Sequence, residues 1–70
     1  MPSEYKAQVA QDGGWFIAHS PDVPGANGQG RTEAECLANL ADAIELILTD
    51  RGEGGSGEVV VRAEENPQAG

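Results

Sequence analysis

Near its start the chain alternates between a more apolar and a more polar side. Over residues 4–11, Tyr5, Ala7 and Val9 fall on one side and Lys6, Gln8 and Ala10 on the other, the two-residue period of a strand with one buried face. Asp12-Gly13-Gly14 follows as a hairpin turn, because glycine supplies the positive φ that tight connections require. A second strand starts at once. Trp15, Phe16, Ile17 and Ala18 are apolar at consecutive positions, which predicts that both faces of this strand meet something apolar. Pro21 and Pro24 lack backbone donors, so the ladder ends near Ser20, and Gly25 lets the chain reverse. Residues 26–30 supply a short third strand, weakened by Asn27-Gly28, which is itself a turn signal.

From residue 33 to about residue 50 the period becomes helical, with Leu37, Leu40, Ala41, Ile44, Ile47 and Leu48 on one stripe. Thr32, followed three residues later by Glu35, is the reciprocal cap that starts such a helix. Leu46 falls opposite the stripe, among Glu35, Asn39 and Asp42; a single exposed leucine is ordinary, so a contact role comes second to a plain surface role. Arg51 suits the negative end of the helix dipole, and Gly52 is placed to cap it. Residues 52–57 read as a flexible linker, and residues 58–64 as a last strand through Val59, Val60 and Val61. Residues 66–70 read as a frayed tail.

These elements predict an α+β fold, β-β-β-α-β, with residues 1–65 as a single domain. A three-stranded antiparallel meander leaves the third strand parallel to the first, and a right-handed crossover through the helix sets the last strand beside the first. The sheet order is then 3-2-1-4, with the helix on one face. The other face meets water or another subunit. The apolar run of the second strand favours a subunit, as a homodimer or larger homo-oligomer through the open face or a sheet edge, with Trp15 and Phe16 as anchors.

Composition sharpens that expectation. Seventy residues and 7.3 kDa hold one domain, and so small a domain buries only about 60% of its unfolded surface. Cys36 and His19 are the only cysteine and histidine, so neither an internal disulfide nor an ordinary structural zinc site supports the fold, and oligomerisation is left to do so. Twelve acidic against four basic residues give a net charge of −8, which repels phosphate backbones and anionic lipid alike and suits a basic protein partner. No segment has the apolar length of a signal peptide or membrane span, which predicts a cytoplasmic protein with a reduced thiol.

Trp15 to Leu48 carries a further pattern: a strand ending in Pro21-Asp22-Val23-Pro24-Gly25, a helix start at Gly30-x-Thr32 with Glu35 in its cap, and Leu37, Asn39, Ala43 and Ile44 beyond. In this it resembles the HicB family, antitoxin-type domains similar to an incomplete ribonuclease H fold. The resemblance implies a protein that neutralises a small basic ribonuclease toxin by binding it. Arg31 stands where the family usually has an acidic residue, and Gly28 where it has a strand former, which predicts a shortened third strand. Family antitoxins often continue into a ribbon-helix-helix or helix-turn-helix segment; the chain ends at Gly70, so direct nucleic-acid binding is not expected.

Candidate chemistry is sparse. His19, the one residue whose ordinary titration lies near neutrality, is the first candidate for a general base, but no nucleophile or acid is fixed beside it by sequence. Cys36 in the first helical turn could be activated by the helix end, yet Glu33 and Glu35 oppose a thiolate, and a packing role is favoured. Gly25, Gly28 and Gly30 before a helix suggest a phosphate cradle, but their spacing fits no known phosphate loop and Glu33 and Glu35 already occupy the electropositive end. Glu4, Asp12, Asp22, Asp42, Glu45 and Glu58 raise the question of a two-metal nuclease. The strand interiors offer Lys6, Gln8 and Val60 instead, Asp12 and Asp22 belong to turns, and Asp42 and Glu45 lie off the buried stripe. The expectation is therefore a non-catalytic binding protein without cofactor or metal. An orphan homo-oligomeric binding or scaffold module of unknown ligand is the alternative, and a small hydrolase using His19 the third reading.

Overall fold

The structure, a computed structural model, describes residues 3–50, 52 and 59–64. It contains β1 (Ser3–Asp12), β2 (Trp15–His19), β3 (Asn27–Gly30), α1 (Glu33–Asp50) and β4 (Val59–Ala63). The four strands form one sheet in the order β3-β2-β1-β4. The β1–β2 and β2–β3 pairs are antiparallel and β4 runs parallel to β1, the arrangement expected from a meander followed by a right-handed crossover. β1 is one residue longer at each end than the alternation indicated, and β4 ends one residue earlier, at Ala63. The expected roles of Arg51, Glu58 and most of the 52–57 linker, and the 66–70 tail, lie outside the described residues.

Gly13 and Gly14, at φ of 56° and 90°, form the two-residue hairpin loop closed by the Asp12–Trp15 pair. Beyond His19 the chain leaves the ladder in two successive turns, with the Val23 amide donating to the Ser20 carbonyl at 3.2 Å and the Ala26 amide to that of Val23 at 3.1 Å. Gly25 turns within this loop at φ of 94°. Val23 and Ala26 point back into the core and are almost wholly buried. Where β2 has departed, the amide of Lys6 in β1 would lack a ladder acceptor; the Asp22 carboxylate accepts its hydrogen bond at 3.0 Å. Asp22 belongs to this turn by sequence, yet its bonding partner is 16 residues away, so the loop is stitched to the first strand.

The helix begins as its sequence indicated. Thr32 Oγ1 accepts from the Glu35 amide at 3.1 Å, and Glu35 Oε1 accepts from the Arg31 amide at 2.8 Å, one residue before the amide a standard capping box would bind. Gly52, at φ of 77°, closes the other end with its amide on the Thr49 carbonyl at 3.0 Å. Cys36, Leu40 and Ile44 are fully buried against Ala7 and Ala18 of the sheet, with Tyr5, Val9, Phe16, Leu37, Ile47, Val59 and Val61 packed around them. Burying side chains the size of Leu40 and Ile44 stabilises the fold by about 1.5–3 kcal/mol each.

β3 is four residues long, one fewer than expected, and Gly28 is not where it breaks, since Gly28 pairs with Ala18 inside the ladder. The helix backbone lies directly on this strand. A β-carbon at Gly28 would stand 2.6 Å from the Cys36 carbonyl oxygen and 2.8 Å from Leu40 Cα, and one at Gly30 would stand 2.8 Å from the Cys36 nitrogen. The glycines that weaken strand propensity are therefore what lets the helix approach. Two side chains fasten the same seam: Cys36 Sγ donates to the Gly28 carbonyl at 3.5 Å and Asn39 Nδ2 to that of Gln29 at 2.7 Å.

Candidate functional site

The strand period separates the two aromatics of β2. Phe16 and Ala18 face α1, while Trp15 and Ile17 lie on the uncovered face, 38% and 39% exposed. On that face Ala10 of β1, Ile17 of β2 and Gln29 of β3 stand in one row, and Gln8, His19 and Asn27 in the next. Arg31 folds over Trp15, its guanidinium carbon 4.3 Å from the ring centroid, a cation–π contact. At the opposite end Arg62 pairs with Glu4 at 3.1 Å and Lys6 with Glu64 at 3.9 Å. These pairs are well exposed, and such pairs stabilise by only about 0–1 kcal/mol.

The helix side is different in kind. Glu33, Glu35, Asp42, Glu45 and Asp50 are all exposed on α1, which carries no lysine or arginine between Glu33 and Asp50. Leu46 stands among them, 71% exposed. All three basic residues in the described part of the chain, Lys6, Arg31 and Arg62, are instead associated with the uncovered sheet face. Among the described residues charge is thus segregated: the helix side is uniformly negative and the other is mixed and partly apolar.

The residues considered for chemistry do not assemble into a constellation. His19 is exposed at the end of β2, and its neighbours across the sheet are the amides Gln8 and Asn27. Cys36 is fully buried, and burial, with Glu33 adding to it, raises its pKa above the ordinary thiol value, which keeps it protonated at neutral pH. Gly25, Gly28 and Gly30 serve the turn and the helix seam, and Arg31 and Thr32 connect them to the helix. Among the described residues no three His, Cys, Asp or Glu side chains come together in a group able to hold a metal ion. No helix among them is long and apolar enough to cross a membrane. The sequence missed Asn39 and Asp22 as cross-element fasteners, because each bonds backbone far away in the chain.

Together these features define a small α+β domain with one helix-covered and one uncovered sheet face. Over 44 residues the chain is 54% identical to the UPF0150 protein ssl0738 of Synechocystis sp., a stretch that covers 63% of this chain and 60% of that protein. The match therefore takes in about 60% of the relative's length. No protein-family model matches the chain, and no solved structure does.

Proposed function

We propose that this chain is a HicB-like antitoxin-type module, non-catalytic and cytoplasmic, that binds a small basic ribonuclease toxin and covers its RNA site. The observation that carries this reading is the one-sided charge of α1: five exposed carboxylates and no cation over its length. Such a surface attracts a basic partner and steers its approach, and it competes with RNA for the same positive patch. The Pro21-Asp22-Val23-Pro24-Gly25 and Gly30-x-Thr32 resemblance, and the match to a UPF0150 protein, accord with it. Direct nucleic-acid binding is disfavoured by the net charge of −8.

The test is genetic and biochemical together. The neighbouring reading frame, if short, basic and carrying a double-stranded-RNA-binding-like pattern with a histidine, is co-expressed with this chain. Relief of its toxicity and co-purification are the expected results. A toxic neighbour that is neither relieved nor bound contradicts the reading.

The second reading, a homo-oligomeric scaffold without a toxin, is favoured by the exposure of Trp15 and Ile17 on the uncovered face. The two are separable because they use opposite sides of the molecule.

A further inference from the structure

We propose that the uncovered face of the sheet, centred on Ile17 and Ala10, is the surface through which two copies of this chain pack together. A twofold contact sets a patch against itself, so a patch of one sign repels its own copy. With a net charge of −8, most of this molecule cannot meet itself without that penalty, and α1 with its five carboxylates least of all. The uncovered face is the exception. Among the described residues, Lys6, Arg31 and Arg62 there offset Glu4, Asp12 and Glu64, and the two ion pairs and the Arg31–Trp15 stack leave no large field of one sign. Trp15, Ile17 and Val60 supply half-exposed apolar area, 38–39% open in each case.

Addition of a second copy at the β3 edge is less favoured, since the Asn39 side chain already takes the Gln29 carbonyl. Four strands at ~4.8 Å spacing make a face roughly 20 Å wide, at the small end for a stable dimer. Association is therefore in the micromolar range and visible as a concentration-dependent mass. Because the monomers repel at long range, added salt tightens the dimer, whereas it weakens any complex held by the acidic helix.

The experiment is sedimentation equilibrium of the full chain across concentration and salt, on the natural sequence and on Ile17→Arg, Ala10→Arg and Leu46→Arg. The dimer is expected for the natural chain and for Leu46→Arg. Each sheet-face charge, buried against its own copy, should raise the dissociation constant on the order of tenfold or more. Circular dichroism checks folding, and Ala10→Arg, at the position paired with Ile17, decides the matter if Ile17→Arg does not fold. A natural chain that stays monomeric into the hundreds of micromolar overturns the proposal. So does a dimer that both sheet-face variants leave intact, or one that Leu46→Arg alone dissolves. These outcomes do not depend on any toxin, so this proposal and the antitoxin reading fail separately.

Discussion

Gly28 lies against the backbone of Leu40 so closely that a β-carbon there would stand 2.8 Å from Leu40 Cα. The opposing atoms are main chain and cannot swing aside, so the helix would have to lift from the strand. Gly28→Ala is expected to destabilise by about 1–3 kcal/mol or more, the range for overpacking, seen as a lowered urea midpoint. Gly28 does not have a positive φ, so the loss would report packing and not backbone strain. An unchanged midpoint would show that the seam is looser than its geometry.

Asp22 holds the Lys6 amide across the gap left by β2. Asp22→Ala should cost about 0.5–1.5 kcal/mol, and amide hydrogen exchange at Lys6 should accelerate more than at Val9 in the same strand. Asp22→Asn keeps an acceptor and should lose less. Equal protection of Lys6 in all three proteins would remove the stitching role.

Thr32→Ala removes the acceptor for the Glu35 amide and should lower stability by about 1 kcal/mol, typical of a lost cap. For a domain of this size that is a fall of roughly 4–8 °C in Tm, measurable by thermal denaturation.

Cys36 is buried and its pKa is raised above the ordinary 9.0, by burial first and Glu33 second. In the unfolded chain the thiol loses its proton as pH passes about 9.0, while the folded thiol keeps it, so the unfolded state binds fewer protons there and stability falls with rising pH. The contribution is fully present below the unfolded value and is lost as pH climbs through the folded one. Urea titrations should show a decline above about pH 9 that Cys36→Ala reduces, and the thiol of the folded chain should resist alkylation until urea releases it.

Much of this architecture was legible because it rests on short-range chemistry. The alternation of Tyr5, Ala7 and Val9, the Gly13-Gly14 turn, and the Thr32–Glu35 cap each encode a local geometry, and the handedness of one crossover then fixes the order β3-β2-β1-β4. What stayed illegible depends on contacts between distant segments. Gly28 reads as a weak strand residue until the helix is seen lying on it. Asp22 reads as a turn acid until its bond to Lys6 is seen. Val23 looks like a loop residue between prolines, yet it is buried in the core. Arg31, a departure from the resemblance, gains its place by stacking on Trp15. For function, sequence supplied the net charge but not its segregation, which requires knowing that Lys6, Arg31 and Arg62 gather on the side away from α1.

The most direct measurement of the proposed function is a binding titration of this chain with the purified product of a neighbouring reading frame, chosen if short and basic, at low and high salt, repeated with Asp42→Lys/Glu45→Lys. Binding that weakens as salt rises and is lost in the double variant, while that variant folds normally, is the result the acidic helix predicts. Absence of binding at low salt, or binding that neither salt nor the charge reversal disturbs, would contradict it.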